Sequence, residues 1–527
     1  MIDTKALREK VLDLAIRGKL VPQDPNDEPA SVLLERIRTE KQQMVKDGKL
    51  KAKDIKNDTI IYKGDDNLHY EKFSDGSLKC IEDEIPFELP QGWEWSRFSS
   101  AFIINPRNNL PDDTEVSFIP MFLIQEGYAN NHTFEKKTWS NVKSGFTHFA
   151  ENDIGVAKIT PCFENKKSVI FRNLTNGFGA GTTELHIIRS IDDGICPEYV
   201  LWFIKTDSFI SNGVNAFSGA VGQKRIGKDF VEKYLIPIAP TTEQKRIVER
   251  ISTAFKFIDE IDASKEAFKL DVEIIKSKIL DLAIRGKLVP QDPNDEPASV
   301  LLKRIRAEKE ELIKQGKIKR DKKESVIFKG EDNSYYLSVS DNKSYEEQIV
   351  FELPSNWAWC ILPSIAKIDL GKTLDSAKNT GNNYQYLRSV NIRWGYIDLS
   401  DLNEMRFEDV EIERYSIQKN DLLICEGGDV GRSCVWISDN KILYQNALHR
   451  VRFYDECNPF FFMYYMMYYE SKGIIKALCK GVTIKHLTGN VLSTIPFALP
   501  PLPEQTRIVK AIETAFAQLD EIANSIA

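Results

Sequence analysis

Residues 12–34 read LDLAIRGKLVPQDPNDEPASVLL, and residues 280–302 repeat that segment letter for letter. Two more blocks recur in the same order. They are FELPQGWEW at 87–95, which returns as FELPSNWAW at 351–359, and EQKRIVERISTAFKFIDEI at 243–261, which returns as EQTRIVKAIETAFAQLDEI at 504–522. Internal repeats of this size reveal the architecture of a chain before any single motif does. The chain is therefore a tandem duplication whose two halves share one frame.

The regions between the repeated blocks, residues 101–230 and 363–490, share little sequence beyond two short echoes. These echoes are Asn-Asp at 152–153 and 420–421, and Leu-His at 185–186 and 448–449. Drift after a duplication would alter the frame as much as the inserts. The contrast therefore predicts a constant scaffold that carries two different recognition modules.

The frame is predicted to be helical. From Ile247 to Leu282 the apolar residues recur at steps of three and four, with one step of seven across Lys265, which predicts a helix over 243–284. The apolar seam is narrow and its flanks are charged, so we favour a coiled coil over a helix lying on a globular core. Second helices are predicted over 30–46 and 298–314, each preceded by a proline.

The two ends of the chain continue the pattern of the central helix. The C-terminal block carries its apolar residues in the register of residues 247–261, and the N-terminal block matches the register of residues 275–282. We therefore predict that residues 503–527 and 1–17 together form one rod antiparallel to 243–284. The chain would then be nearly circular and pseudo-two-fold.

The inserts have the pattern of mixed structure. Short apolar runs predict strands, and longer apolar stretches at 198–207 and 459–478 predict helices. The predicted strands lie at 154–156, 168–171, 185–188, 421–425, 434–437 and 448–453. Residues 57–85 and 324–348 are polar, and we interpret them as linkers or weakly packed edges.

The predicted fold class is therefore α+β, with two α/β domains joined by two long antiparallel coiled-coil helical regions. The predicted divisions are a helical region at 1–56, a first recognition domain at 57–240 with its core at 87–240, a central helical region at 241–320, a second recognition domain at 321–502 with its core at 351–502, and a C-terminal helix at 503–527 that completes the coiled coil with 1–17.

Composition limits the class of protein. The chain has 527 residues, of which 42% are hydrophobic and 28% charged, so it can form sizeable cores. Its eight cysteines form no CxxC pair and its six histidines form no metal-ligand cluster, which favours a reduced, cytoplasmic protein without a metal site. No apolar run is long enough to span a membrane, and the charged start predicts no signal peptide. The net charge of −7 implies that any nucleic acid meets a local basic surface.

The motifs of the common catalytic sites are missing. Gly371-Lys372-Thr373 resembles the end of a phosphate-binding loop, but Ala366 stands where the first glycine is required. The EGGDVGR stretch at 426–432 lacks dinucleotide-binding spacing, and the stretches at 105–108 and 458–460 depart from the NPPY-type motif of base amino-methylation. The sequence therefore offers no catalytic residues.

The architecture resembles the specificity subunit of type I restriction–modification enzymes. The resemblance covers nearly the whole chain. It rests on the duplicated AIRGKLVPQDPNDEPASVLL segment, the LP-x-x-W-x-W entries at 89–95 and 353–359, and the exits APTTEQKRIV at 239–248 and LPPLPEQTRIV at 499–509. It implies two target-recognition domains, each reading one half of a split DNA site.

The same resemblance implies the partners. These are double-stranded DNA, two modification (methyltransferase) subunits and restriction (motor-nuclease) subunits. S-adenosylmethionine, ATP and magnesium are then expected on the partner subunits, with no cofactor bound by this chain.

Candidate DNA contacts are the basic and amide side chains of the inserts, because Arg and Lys suit guanine edges and phosphates, and Gln suits adenine edges. In the first domain they are Lys158, Thr160, Lys166, Lys167, Gln223, Lys224 and Arg225; in the second they are Lys372, Arg388, Arg393, Trp394, Arg432, Gln445 and Lys485.

Two other functions remain open at this point. A coiled-coil scaffold that binds only proteins would explain the helices and the acidic charge, but not the divergence of the inserts. A fused restriction–methylation enzyme would need the methylation motif and the phosphate-binding loop that are missing here.

Overall fold

The computed structural model describes residues 2–219, 224–320, 325–330, 335–339, 343–347, 351–373, 375, 379–454, 457–479 and 486–526. The chain divides into two compact units, with the division between Ser264 and Lys265. This is the point at which Lys265 interrupts the apolar seam of the sequence. Each half of the duplication is thus a compact unit, and each has its own hydrophobic core.

The first unit contains short helices and thirteen strands among its described residues, followed by the start of the longest helix. Its helices are α1 Thr4–Ile16, α2 Ala30–Lys46, α3 Phe98–Ala101, α4 Trp139–Val142, α5 Pro197–Ile204, α6 Asp207–Asn215 and α7 Lys228–Lys233, and the longest helix is α8 Thr241–Ile284. Its strands are β1 Ile60–Lys63, β2 His69–Lys72, β3 Leu78–Cys80, β4 Glu94–Arg97, β5 Phe102–Ile104, β6 Glu115–Ile119, β7 Glu135–Thr138, β8 Thr147–Ala150, β9 Ile154–Ala157, β10 Ser168–Ile170, β11 Phe178–Gly181, β12 Leu185–Ser190 and β13 Leu235–Ile238.

The second unit repeats this element order after the end of α8. Its helices are α9 Ala298–Lys314, α10 Leu362–Ile365, α11 Pro459–Ser471, α12 Ile474–Leu478, α13 Gly489–Leu492 and α14 Leu502–Ile526. Its strands are β14 Ser325–Lys329, β15 Tyr335–Val339, β16 Lys343–Glu347, β17 Ala358–Ile361, β18 Ala366–Leu370, β19 Asn382–Leu387, β20 Asn403–Phe407, β21 Ser416–Ile417, β22 Leu422–Cys425, β23 Ser433–Val435, β24 Ile442–Tyr444, β25 Leu448–Phe453 and β26 Pro496–Leu499.

In the first unit, α1 packs antiparallel against the start of α8. Leu12 and Ile251 are buried in one core. Arg8 Nη2 donates to Asp259 Oδ1 at 2.5 Å and to Asp262 Oδ2 at 3.0 Å. The predicted pairing of the N-terminal helix with the central helix is therefore present in this unit.

In the second unit, α14 packs antiparallel against the end of α8. Ile284 and Ile512 share a core, and Lys276 Nζ lies 2.6 Å from Asp520 Oδ1. Ile275, which the periodicity placed in the apolar seam, is exposed. The chain ends Met1 and Ala527, which the predicted composite rod brings together, lie outside the described residues.

The same contact fixes the frame in both units. The indole Nε1 of Trp93 donates to Glu243 Oε2 at 3.0 Å, and that of Trp357 donates to Glu504 Oε2 at 3.0 Å. Burial raises the pKa of both carboxyl groups above the ordinary value for Glu. These residues lie in repeated blocks, so the repetition of those blocks preserves a buried polar contact.

Each insert folds into two four-stranded sheets. In the first unit the strand orders are β10-β9-β12-β5 and β7-β6-β11-β8; in the second they are β18-β25-β22-β23 and β20-β19-β24-β21. Beside them, β4 pairs with β13 and β17 pairs with β26, both antiparallel. The inserts thus share one topology although their sequences differ, and the α+β class predicted from the sequence is observed.

The Asn-Asp echo lies at an equivalent turn in both inserts. Asn152 and Asn420 adopt left-handed backbone conformations, with φ of 69° and 71°. The buried Asp153 accepts from Arg189 Nη2 at 2.7 Å, and the buried Asp421 accepts from Arg452 Nη2 at 2.6 Å. The Asn-Asp echo is therefore a tight turn followed by a buried ion pair, a structural role in both inserts.

The interpretation of residues 57–85 and 324–348 as linkers was wrong, whereas the alternative of weakly packed edges agrees with the exposure of most residues of the first region. The first region forms the antiparallel sheet β1-β2-β3 and the second forms β14-β15-β16. The first sheet is held from below by Arg97, whose Nη2 donates to Glu71 Oε2 at 2.8 Å. Most residues of these three strands are exposed, which accounts for the polar composition of the first region.

The two predicted insert helices are shorter than expected. The first ends at Ile204, and Thr206 Oγ1 then accepts from Phe209 N to cap α6. The second is interrupted at Gly473, whose φ of 70° lies in the left-handed region. A capping hydroxyl starts a new helix, and a left-handed glycine ends one, even where apolar residues continue.

Candidate nucleic-acid interface

Both units carry the same arrangement of loops at one end of the insert sheets. Thr182 N donates to Ile119 O and Gln445 N donates to Leu387 O, each at 3.2 Å. These bonds hold the loop after β6 beside the end of β11, and the loop after β19 beside the end of β24.

The loop after β9 is held in the same way as the loop after β22. Lys158 N donates to Glu184 O at 3.0 Å, as Glu426 N donates to Ala447 O at 2.9 Å. Lys158 O in turn accepts from Ile226 N at 2.9 Å, and Glu426 O accepts from Leu487 N at 2.8 Å. The backbone bonds therefore match the two units position by position.

Histidines of the Leu-His echo tie these segments together. His186 Nε2 donates to Ile226 O at 3.1 Å, and His449 Nε2 donates to Leu487 O at 2.7 Å. Burial lowers the pKa of both imidazoles, so they are neutral at pH 7. We name the joined segments recognition surface 1 (residues 120–127, 158–160, 182–184 and 224–226) and recognition surface 2 (residues 388–396, 426–432, 445–447 and 486–487).

Matched positions of the two surfaces carry different side chains. The pairs, first surface before second, are Pro120 and Arg388, Phe122 and Val390, Gln125 and Arg393, Glu126 and Trp394, Lys158 and Glu426, Thr182 and Gln445, and Arg225 and His486. The side-chain charge reverses between Lys158 and Glu426. At other pairs, such as Pro120 and Arg388, only one of the two residues is charged. One backbone frame thus presents two different sets of donors and acceptors.

Recognition surface 1 contains Lys158, Thr160, Lys224 and Arg225 of the candidates named from the sequence. The guanidinium of Arg225 makes two bonds to the Glu184 carboxylate, from Nε at 2.9 Å and from Nη2 at 3.0 Å. Lys224 is exposed, and Lys158 is half-buried. The Glu184 carboxylate therefore fixes the orientation of the Arg225 guanidinium and neutralises part of its charge.

Lys167 lies outside this surface, and its Nζ donates to Met121 O at 3.4 Å. Lys166 is buried, and its ammonium pairs with Glu9 of α1 and with Asp207 at 2.7 Å. Its role is therefore to hold the insert against α1, and we leave it out of the interface.

Recognition surface 2 gathers three arginines around one loop. Arg388 Nη2 donates to Asp401 Oδ2 at 2.8 Å, and Arg432 Nη2 donates to Ser389 O at 3.0 Å. Burial raises the pKa of the Cys425 thiol to about 11, although the charges of Arg432 and Arg393 both act to lower it. No ion pair of Arg393 occurs within the described residues. Its charge is therefore the most available of the three.

Other candidates of the second domain have packing roles. Lys372 is buried, pairs with Glu411 and points over the Phe407 ring. Trp394 is half-buried against the core of the second unit.

Gln445 lies in recognition surface 2 beside Lys372, to which its backbone is bridged. Gln223 and Lys485 lie outside the described residues.

Sequence reasoning missed the exposed apolar side chains of both surfaces. Phe122 is 74% exposed, Val390 is 49% exposed, and Tyr396 in the following turn is 60% exposed. Apolar side chains at such positions can contact a thymine methyl group or stack on sugars and bases. A large apolar residue in an otherwise polar loop was the signal available in the sequence.

The loop of recognition surface 1 is fixed from below by a buried lysine. Lys205 Nζ donates to the carbonyl oxygens of Gly127 at 2.5 Å, Ala129 at 3.0 Å and Lys166 at 2.9 Å. Burial, together with the nearby charge of Lys166, lowers the pKa of this amine to about 7. In the second unit α11 begins at Pro459 as α5 begins at Pro197, and Met467 then stands at the position of Lys205, so this support belongs to the first unit.

We predict that replacing Lys205 by Met removes a pH dependence of stability. The unfolded chain keeps this amine protonated up to about pH 10.5, whereas the folded chain releases the proton near pH 7. Because the unfolded state binds the extra proton in that window, the free energy of unfolding rises with pH there, by at most about 1.4 kcal/mol per pH unit. Chemical denaturation of the wild type and of Lys205→Met at several pH values between 7 and 10 measures this. If the free energies of unfolding of the two proteins changed with pH in parallel, the lowered pKa of Lys205 would be contradicted.

Two searches of the described residues, for clusters of metal-binding side chains and for membrane-spanning helices, found neither. Within them, no group of three or more His, Cys, Asp or Glu could hold a metal ion. Nor is any helix in that part of the chain both long and apolar enough to cross a membrane.

Comparison with known proteins agrees with this geometry. The family model of the type I restriction modification DNA specificity domain matches twice, at residues 99–267 and 354–526. The chain belongs to the type I restriction–modification specificity subunits. The two matches fall on the two units, so each half of this specificity subunit carries one DNA specificity domain.

Curated relatives match this specificity subunit over nearly its full length. The specificity subunit of the type I restriction enzyme EcoAI from Escherichia coli is 35% identical, over 97% of this chain and 88% of its own. That of EcoEI, also from Escherichia coli, is 34% identical, over 99% of this chain and 90% of its own. A solved chain of the type I R-M system shares the fold, with a TM-score of 0.57 and 17% identity over 84% of this chain and 94% of that one.

The family settles the general function. The chain is a DNA-reading specificity subunit, which is a non-catalytic part of the restriction–modification complex. None of these comparisons supports a scaffold that binds only proteins.

Proposed function

We propose that the two recognition surfaces read the two unlike halves of a split DNA target. The observation that carries this proposal is the set of matched positions, where one backbone frame presents different side chains. Because base-edge contacts specify sequence, different side chains on one frame select different bases. Phosphate contacts from neighbouring lysines and arginines would place each surface on the duplex without adding sequence information.

Within the proposal, recognition surface 1 acts through Lys158, Thr160, Lys224 and Arg225, together with Gln223, which precedes Lys224 in the sequence. Recognition surface 2 acts through Arg388, Arg393, Arg432 and Gln445, together with Lys485, which precedes His486 in the sequence. To these we add Phe122, Gln125 and Tyr396, which were found only in the structure. The domain divisions predicted from the sequence, with the composite rod of residues 503–527 and 1–17, are part of the same proposal.

The partners in the proposal are two modification subunits and the restriction subunits. The duplicated frame supports the number two, since one frame repeated twice offers two equivalent sites. S-adenosylmethionine would be bound by the modification subunits, and ATP with magnesium by the restriction subunits. This chain would determine which DNA sequence the modification subunits methylate and the restriction subunits recognise.

The general test is a gel shift with the modification subunit present, followed by mapping of methylated sites in cells. We expect a bipartite, asymmetric target that is methylated only when this chain is expressed. Methylation at a continuous or symmetric site would contradict the proposal.

We predict that Arg393→Ala weakens binding of the cognate DNA by about 1–3 kcal/mol, which corresponds to roughly 5- to 150-fold. The reason is that its charge is the most available on recognition surface 2, and an arginine contacting a guanine edge has this effect. Sequence preference should relax in one half of the target only. Fluorescence anisotropy with target variants measures both effects.

Arg406→Ala is the matched control, because Arg406 is an exposed arginine of the same domain on β20, outside recognition surface 2. It should leave affinity and preference unchanged. Equal losses in the two variants would show that Arg393 contributes only to overall charge.

A further inference from the structure

The loop after β6 forms a hairpin whose tip contacts the helical frame. Gln125 N donates to Asn131 O at 3.1 Å, so the two arms of the hairpin are paired. We name residues 126–130, which lie between the arms, the hairpin tip. Phe122 and Gln125 are exposed residues of recognition surface 1 at the start of the first arm. Their placement therefore depends on how the hairpin is held.

One carboxylate of the N-terminal helix α1 binds the hairpin tip. Glu9 accepts from the hydroxyl of Tyr128 in the tip and from the ammonium of Lys166. The second oxygen of this carboxylate accepts from Asp207 N at 2.9 Å. The Glu9 side chain is only 18% exposed. Three separate segments of the first insert thus donate to one largely buried carboxylate of the frame.

Further contacts fix the same tip. Lys166 Nζ donates to Tyr128 Oη at 3.1 Å, and the Tyr128 ring lies edge-on to Phe255 of α8, with the ring centroids 5.5 Å apart. Lys205 Nζ donates to two carbonyl oxygens of the tip. Burial, together with the bond to Glu9, raises the pKa of Tyr128 to about 12, so its hydroxyl remains a donor at neutral pH. The tip is therefore held by α1, by α8 and by the lysine that follows α5.

The matching hairpin of the second unit is shorter. It is closed by the bond from Asp398 N to Asn391 O at 2.8 Å, whereas the first hairpin is closed by the bond from Thr133 N to Leu123 O at 3.1 Å. The additional residues of the first hairpin belong to its tip. The length that reaches α1 is therefore particular to the first unit.

Both partners of this ion pair are replaced in the second unit. Ser277 stands at the position of Glu9 in the duplicated frame, and its hydroxyl donates to Ser471 Oγ at 3.3 Å. The register of β9 with β10, and of β22 with β23, places Gly431 at the position of Lys166. Lys166 has a φ of 55° and Gly431 a φ of 85°, a left-handed conformation that favours glycine. A lysine at such a position is unfavourable for the backbone, and its ionic contacts offset that cost.

We propose that Glu9 is a positioning residue for the reading of the first half-site, so that helix α1 of the frame takes part in sequence recognition. The inference rests on the proposed function of recognition surface 1. Through Tyr128 and Lys166, the Glu9 carboxylate fixes the hairpin tip. The paired arms carry that placement to Phe122 and Gln125. Because binding groups must be held within about 0.5 Å of their productive geometry, a released tip lowers discrimination between bases.

The test uses Glu9→Ser, which introduces the residue of the second unit, in the full chain assembled with the modification subunit. Fluorescence anisotropy would compare the mapped target with DNAs that each carry one altered base pair. We expect discrimination between bases of the first half-site to fall about fivefold or more, since one base contact supplies at least that much. Discrimination in the second half-site should be unchanged. Affinity for unrelated DNA should also be unchanged, because it depends on phosphate contacts that the substitution leaves in place.

Tyr128→Phe is the second variant, since it removes the hydroxyl that binds Glu9 and keeps the ring that packs on Phe255. It should cause a smaller loss of discrimination, again in the first half-site only. Glu40→Ser is the control, because it removes an exposed carboxylate of α2 that lies outside these contacts. This control should discriminate between bases as the wild type does.

If Glu9→Ser and Tyr128→Phe both read the first half-site as the wild type does, Glu9 is not a positioning residue, although the proposed function stands. A loss shared equally by the two half-sites would also overturn the inference, since it would reflect folding or assembly rather than placement of one hairpin. If the wild type shows no preference for a bipartite target, the proposed function itself fails, and this inference with it.

Discussion

Exchange of residues 363–490 for the same region of a relative is expected to change one half of the DNA target and to leave the other half unaltered. Both junctions fall in short helices, α10 and α13, beside the strand pair β17 and β26. The strand pair stays intact, so the new insert is held by the original frame. Every altered base pair costs about 1–3 kcal/mol, so several together change binding by orders of magnitude.

Genome-wide mapping of methylated sites measures the outcome of this exchange. The reciprocal exchange of residues 101–230 is the control, because it should alter the opposite half of the target. A change in both halves of the DNA target after either exchange would contradict the prediction that each insert reads one half. So would a chimaera that is active with its target unchanged.

The frame could be predicted from the sequence because its signals are local. The helices predicted over 30–46 and 298–314 are observed as α2 and α9, with Pro29 and Pro297 at their N-caps. The helix predicted over 243–284 is observed as α8, which begins two residues earlier. Apolar periodicity and end signals act over a few residues, and these segments contain both.

The burial of single cations could not be predicted in this way. Lys166 pairs with Glu9, 157 positions earlier in the chain, and Lys372 pairs with Glu411 across the second insert. Both residues have the sequence context of a basic loop. Only the tertiary fold brings the carboxylates that neutralise them, so residue type alone placed them in the interface.

The correspondence between the two recognition surfaces was hidden for a different reason. The loops that form them have changed in length and side chain, and sequence identity survives only at fixed points such as His186 and His449. The backbone bonds around these histidines restore the alignment. The side chains of the two surfaces differ, so their relation was hidden in the sequence. Because different side chains select different bases, this variable part of the molecule is the part that determines sequence specificity.

Insertion of four residues after Lys265 is expected to widen the gap between the two half-sites without changing either of them. The helix α8 is continuous from Thr241 to Ile284, and the two units divide between Ser264 and Lys265. Four residues make about one helical turn and add about 6 Å, which is about two base pairs at most. Mapping of methylated sites for the wild type and the insertion variant measures the change in spacer.

The insertion should be tolerated because α1 packs on the part of α8 before this point and α14 packs on the part after it. Neither helix pair is interrupted, and no residue of either recognition surface is touched. Lys265→Ala, which alters the same position without adding length, is the control and should keep the original spacer. An active insertion variant with an unchanged spacer would show that α8 does not set the distance. A spacer that grows while both half-sites persist would establish that recognition and measurement of distance reside in separate parts of the chain.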